Sequence, residues 1–164
     1  YGEITGSDAA HLTPRDIFDI AEGTRPGDRE AARESFRRFG EVAGDVISQA
    51  LTIIDGIVVL GGGLTGAAKY FMPSLLAEMR GEIGTFAGDR FPRLQMQTYD
   101  LDSPEEAAEF VREKSVPVAV PHSEEHVRYH HIRQTPVVRS KLGASRAIAL
   151  GAYAFAIAEL DRRQ

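Results

Sequence analysis

The stretch IVVLGGGLTGAAK, from Ile57 to Lys69, constrains the fold more than any other part of the chain. Its apolar run is short, β-branched and unalternating, the pattern of a strand buried on both faces. Gly61, Gly62 and Gly63 end that strand, because glycine reaches backbone conformations closed to other residues and so permits an abrupt turn. A helical pattern follows from about Thr65 to Arg80, and Pro73 is expected to kink it or to fall near the start of its regular part. A strand that stops at a glycine turn and passes straight into a helix predicts an α/β domain.

The local chemistry of the turn leaves its role open. Gly61, Gly63 and Gly66 satisfy GxGxxG between a strand and a helix, the context that a dinucleotide fingerprint demands. Such a unit also needs a second strand ending in an acidic residue about 20 positions beyond the glycines. Here the next strand ends near Asp100, more than thirty positions on, and too few strands follow for a doubly wound sheet. A Walker loop is excluded, since no GxxxxGK[ST] occurs and Lys69 is followed by Tyr70. Two readings remain. The glycines form only a tight turn, or they leave bare backbone against which the flat face of a nucleotide lies.

Elsewhere, local signals predict most elements. In LTPRDIFDIAEG, Thr13 precedes Pro14 and stands three residues ahead of Asp16, which predicts a capped helix to about Glu22. TRPGD is a turn, and Asp28 is placed to cap a second helix from Arg29. Its apolar stripe is Ala32, Phe36, Phe39, Ala43, Val46, Ala50 and Ile54; Arg33, Glu34, Arg37, Arg38, Glu41 and Asp45 form a solvated face. GEIGTFAGDRFPR reads as loop, and LQMQTYDL as a half-exposed strand in which Leu94, Met96 and Thr98 alternate with Gln95, Gln97 and Tyr99. Ser103, Pro104 and Glu106 predict a second capping box, VPVAVP an edge strand, and residues 122–139 extended chain. The closing helix, from about Ala144 to Leu160, is apolar on nearly every side and predicted to be buried.

Composition excludes several functions. With 164 residues, 43% of them apolar, the chain fits one domain with a core. A formal charge of -5, with no gathering of the 19 basic residues, argues against broad binding of nucleic acid. Zero cysteines removes disulfides, thiolate zinc sites and cysteine nucleophiles. No stretch suits a membrane span, so no membrane partner is expected and cytoplasm is the default location. The polar opening YGEITGSDAAHL, without an initiator methionine, reads as a cut in a longer protein.

Other constellations favour structural readings. His122, His126, His130 and His131 are spaced for a helical metal face, yet Pro121, Pro136 and the intervening Val127, Tyr129 and Ile132 argue against a helix there. Asp100 and Asp102 read as loop carboxylates and not as magnesium ligands, and no GxSxG elbow accompanies the serines and histidines. Phe18, Phe36, Phe39, Phe71 and Phe155 read as core.

Three pieces together resemble the C-terminal part of ROK family sugar kinases, a glucokinase-like branch of the actin, Hsp70 and hexokinase superfamily. They are LTPRDIFDIAEGTRPGDREAARESF, IDGIVVLGGGLTGAAKYFMPSLL and SKLGASRAIALGAYAFAIAEL, which span most of residues 11–80 and 140–160. The resemblance implies an α/β, ribonuclease H-like (actin-like ATPase) domain, residues 1–164 being one C-terminal, nucleotide-side domain with an elaborated segment at 81–139. It implies one central strand ending at the glycine turn, with helices on both sides. Gly61, Gly62 and Gly63 would lie beneath the adenine or ribose of ATP, with Leu64 and Thr65 bordering the site. ATP and Mg2+ are the implied cofactors, and transfer of the γ-phosphate to glucose or an amino sugar the implied reaction.

The chain departs from the family in what it lacks. It has no early DxGxT, no aspartate in a GxDN-type segment, no glycine-threonine second phosphate turn and no cysteine-rich zinc module. No catalytic or metal-binding residue is therefore assigned here, and the sugar is expected to be held by a missing N-terminal part. The same resemblance covers sugar-responsive repressors, in which nucleic acid would be a partner, and it implies a homodimer.

Overall fold

The computed structural model describes residues 1–162. A single turn, α1 (Gly2–Thr5), opens the chain. Thr13 and Asp16 then close the expected capping box: Thr13 Oγ1 accepts from the Asp16 amide at 3.2 Å, and Asp16 Oδ2 accepts from the Thr13 amide at 2.8 Å. With Pro14 at its first position, α2 runs over Pro14–Glu22 and stops at Gly23, whose φ of 81° lies in the left-handed region. Asp28 Oδ1 accepts from the Ala31 amide at 2.9 Å and starts α3, Arg29–Leu51.

The remaining elements follow in order. They are β1 (Val58–Leu60), a 3-10 turn (Gly63–Ala67), α4 (Ala68–Met79), β2 (Glu82–Gly84), β3 (Arg90–Pro92), β4 (Gln97–Asp100), α5 (Pro104–Val111), β5 (Val116–Ala119), β6 (His126–Tyr129), β7 (Gln134–Arg139) and α6 (Ala144–Asp161). Three strands form the main sheet in the order β1-β7-β4, all parallel, with Val58 opposite Val137 and Thr98 opposite Thr135. The other strands pair as two antiparallel hairpins, β2 with β3 and β5 with β6. The protein is thus mixed α/β.

Several sequence expectations are corrected here. GEIGTFAGDRFPR contains the β2–β3 hairpin where loop is expected. The strand entering the glycine turn is not central but lies at the sheet's edge, so Val59 is 60% exposed and not buried on both faces. The centre is β7, although it carries Pro136, which cannot donate to a ladder. Thr135 helps at that end of the strand: its Oγ1 donates to the Gly56 carbonyl at 3.0 Å. In LQMQTYDL only Gln97–Asp100 is strand, and Thr98 and Tyr99 are both buried, because the helices α4 and α5 both pack near β4. At Ser103 only half a capping box forms: Ser103 Oγ accepts from the Glu106 amide, while the Glu106 carboxylate takes the Asp100 amide and Arg80.

The core is built on the α3–α4 pair, joined by Ile20 and Ala21 of α2 and by Leu94 and Val137. The buried seam of α3 is Ala32, Phe36, Gly40, Gly44, Ser48 and Leu51. Phe39, Val46 and Ile54, expected in the apolar stripe, are instead 41%, 58% and 69% exposed. The physical reason is the glycines. A Cβ on Gly44 would stand 2.6 Å from the Leu75 carbonyl, and one on Gly40 would collide with Ser74 and with the Phe71 carbonyl. Contact between the helix backbones selects the small-residue face over the more apolar one. The expected solvated face of α3 holds only in part: Glu34 pairs with Arg37 and Arg38, and Arg37 also with Glu41, while Arg33 lies 5.9 Å from the Tyr70 ring centroid and Asp45 pairs with Arg93 from beyond β3.

The closing helix departs most from expectation. Its Ile148, Tyr153, Phe155 and Leu160 are 72%, 68%, 70% and 63% exposed, so α6 is an apolar helix lying outside the core and not a buried one. Mean apolarity brings a helix into a core only where another surface is present to receive it.

Candidate functional site

The glycine turn leaves β1 at the carboxyl end of the parallel sheet. The Ser140 amide, just beyond β7, donates to the Leu60 carbonyl at 2.8 Å and closes the sheet beneath it. Gly62 has φ 98° and ψ -175°, a conformation that only glycine adopts readily. Thr65 Oγ1 donates to the Gly62 carbonyl at 2.8 Å, and the Thr65 amide to the same oxygen at 3.3 Å, which tightens the chain into the 3-10 turn before α4. The expected helix from Thr65 therefore begins three residues later, at Ala68.

Against this turn stands the start of α2, and between them is a cavity of about 330 Å³ lined by Thr13, Pro14, Arg15, Phe18, Gly63, Leu64, Gly66 and Ala67. Of the five residues expected at the site, Gly63 and Leu64 line this cleft. Gly61, Gly62 and Thr65 shape the turn beside it without forming its wall. Ideal Cβ atoms placed on Gly62, Gly63 or Gly66 meet nothing within 4 Å, so the missing side chains leave open space rather than helix-to-strand packing. At Gly61 the nearest atom is Ser140 Cβ at 3.9 Å.

The α2 wall is invisible to a reading of the glycine motif. Phe18, expected in the core, is only partly buried and forms one side of the cleft. The only hint is its position one turn from the cap that starts α2. Arg15 Cζ lies 5.5 Å from the Phe18 ring centroid, and its Nε is 3.1 Å from Asp19. Hydrogen bonds from the Thr13 side chain and amide, with the nearby Arg25, hold the Asp16 carboxyl below the usual carboxylate range. Behind the cleft, Glu22 accepts from Lys69 Nζ at 2.7 Å and from Tyr70 Oη at 2.6 Å, and these bonds lower its pKa.

The other candidate groups are engaged elsewhere. Asp102 pairs with Arg139, and Asp100 Oδ1 accepts from the Asp102 amide at 2.9 Å. His126 lies on β6, and the rings of His130 and His131 are 6.4 Å apart. Among the described residues no three His, Cys, Asp or Glu side chains gather as a metal site. Nor is any described helix long and apolar enough to cross a membrane. A larger cavity of about 440 Å³, bordered by Met79, Arg80, Leu94 and Thr98, is lined by no residue of the glycine turn.

A parallel sheet whose edge strand ends in an open glycine turn, facing a capped helix across a cleft of about 330 Å³, defines an α/β protein with a candidate site at the carboxyl ends of the strands. The chain is similar to the glucokinase from Parabacteroides distasonis ATCC 8503, with 46% sequence identity over 92% of its own length and a TM-score of 0.74. The glucokinase-like resemblance read from the sequence is thereby borne out. The chain spans 40% of that glucokinase. No family model matches the chain, and no curated protein does.

Proposed function

We propose that the chain forms the adenosine side of the ATP cleft in an ATP-dependent sugar kinase of ROK type, with the ribonuclease H-like fold of that group. The observation that carries this is the open cleft at the glycine turn, whose volume of about 330 Å³ falls in the range of small-ligand sites. The likeness to a glucokinase supports the same reading. In it, the base lies between Phe18 and Leu64, over the bare backbone of Gly63 and Gly66.

The space where Cβ atoms would stand fits a nucleotide's close approach. Magnesium would come with the phosphates and be held by groups beyond this cleft; when bound it spreads the charge of the transferred phosphoryl group. Binding of a hexose, phosphoryl transfer, a dimeric assembly and a cytoplasmic location belong to the same proposal. The cleft residues themselves bind and orient the nucleoside and exclude water from its base. ATP titration of the intact protein tests this: binding is expected, and Gly63→Val is expected to weaken it by tenfold or more at an unchanged thermal midpoint. Absence of ATP binding, or a Gly63→Val variant of unchanged affinity, would refute the assignment.

A further inference from the structure

We infer that the β5–β6 hairpin is a docking surface for a second copy of this chain, the two hairpins packing face to face with the tip of each against the base of the other. The inference gives the proposed dimer its contact surface and does not rest on the nucleotide reading.

The register of the hairpin sorts its side chains by face. Val116 stands opposite Tyr129 and Val118 opposite Val127, so these four share one face of the pleat, while Pro117, Ala119, His126 and Arg128 take the other. No residue of either strand is buried, and all four members of the apolar face are exposed. A contiguous apolar face left in water marks an interaction surface. Pro117 carries no amide hydrogen, which blunts the β5 edge against the addition of a strand and leaves the face as the surface on offer.

The two ends of the hairpin say what covers it. Glu124 and Glu125 form the tip, where the Val120 amide donates to the Glu125 carbonyl at 2.9 Å and continues the pairing. His130 and His131 form the base directly after Tyr129, their rings 6.4 Å apart. Glu113, near that end, is held by Arg128 Nη2 at 3.3 Å. His130 Nδ1 meets the Ile132 carbonyl at 2.6 Å; a carbonyl only accepts, so Nδ1 carries the hydrogen, and protonation gives the ring a second one to donate. A two-fold axis can stack two such hairpins tip to tip or tip to base. Tip to tip brings four carboxylates together, and like charges across an interface repel. Tip to base sets Glu124 and Glu125 of each copy against His130 and His131 of the other, with the valines and tyrosines between. A standard interface takes about 800 Å² from each partner, more than four half-exposed side chains offer, so the polar ends belong to it as well.

Sedimentation of the intact protein at pH 6, just below the ordinary histidine value of about 6.5, tests this. A concentration-dependent dimer is expected. A tip reversal, Glu124→Lys with Glu125→Lys, and a base reversal, His130→Glu with His131→Glu, should each raise the dimer dissociation constant by about tenfold or more at an unchanged thermal midpoint. Mixed in equal amounts the two variants should associate again, because one junction then pairs lysine with glutamate and the other keeps the native pairing. Val127→Lys, in the middle of the face, should weaken the dimer by a similar factor. A protein monomeric throughout, a dimer indifferent to Val127→Lys, or a mixture no more associated than its components would each overturn the inference. So would a Val127→Lys variant that melts earlier with its dimer unmoved, since another part of the same protein would then cover the face. Should the base reversal fail to fold, a dimer left unweakened by the tip reversal overturns it equally. ATP titration of the same samples reads the proposed nucleotide site separately, because no hairpin residue lines the cleft.

Discussion

Tyr70 donates its hydroxyl to the carboxylate of Glu22 at 2.6 Å, across 48 positions of sequence. Lys69 Nζ reaches the same oxygen at 2.7 Å. Glu22 ends α2, which Thr13 caps and which carries Phe18, and Tyr70 lies in the first turn of α4, directly behind the glycine turn. The pair therefore ties the end of α2 to the start of α4, behind the cleft. Tyr70→Phe keeps the ring stacked 6.0 Å from Phe36 and the Lys69–Glu22 ion pair, but removes the hydroxyl's bonds to Glu22 and to the Ala21 carbonyl. It is expected to lower the thermal midpoint by a few degrees and to weaken ATP binding a few-fold, as read by melting and titration. Equal values in variant and parent would show that the Tyr70 hydroxyl positions nothing.

The glycines of the turn should separate by role. Gly62 sits at φ 98°, where any side chain is strained, so Gly62→Ala is expected to cost about 1–3 kcal/mol of stability. Gly63 has no such backbone constraint and open space at its Cβ, so Gly63→Val spares the fold and fills the cleft. Denaturant unfolding and ATP titration on both variants should show the stability loss in the first and the affinity loss in the second.

The α3–α4 seam predicts a destabilisation that helix propensity alone would miss. Alanine is the better helix former, yet Gly44→Ala puts a methyl 2.6 Å from the Leu75 carbonyl. Overpacking of this kind costs about 1–3 kcal/mol. Urea unfolding should show the loss, and Gly66→Ala, where nothing lies within 4 Å, should not share it.

Acid should unfold the chain through paired carboxylates. Glu34 is lowered to about 2 by hydrogen bonds from Arg37 and then Arg38, and Glu22 is lowered by Lys69 and then Tyr70. A carboxyl whose folded pKa lies below its unfolded value stabilises the fold above the unfolded value, near 4.3 for glutamate, and loses that contribution as pH falls through the folded one. Stability should thus be level from about pH 5 to 8 with respect to these groups and decline below about 4.3. The part due to Glu34 should continue to fall to about pH 2. Glu34→Gln should flatten that slope, and added salt should shrink the difference because the pairs are exposed. An unaltered slope in urea midpoints between pH 2 and 5 would contradict this origin.

The bare face of α6 predicts self-association. Ile148 and Phe155 are seven residues apart, on one side of the helix, and 72% and 70% exposed. The chain on its own should associate with rising concentration in sedimentation experiments. Ile148→Glu with Phe155→Glu should raise the monomer fraction without lowering the unfolding midpoint, since neither side chain belongs to the core. A drop in that midpoint would mean that α6 packs after all.

What the sequence by itself determined are the features written within three or four residues. The Thr13, Asp28 and Ser103 caps, the stop at Gly23 and the strand that breaks at Gly61–Gly63 all depend on bonds between near neighbours. Tertiary structure decided the rest. It placed β7 between β1 and β4, made Gly40 and Gly44 the seam in place of Phe39 and Val46, brought Phe18 and Leu64 to one cleft, and left α6 outside the core. Each of these is settled by surfaces meeting across tens of residues, where the space available to a side chain outweighs its apolarity and no local pattern records which surface will be met.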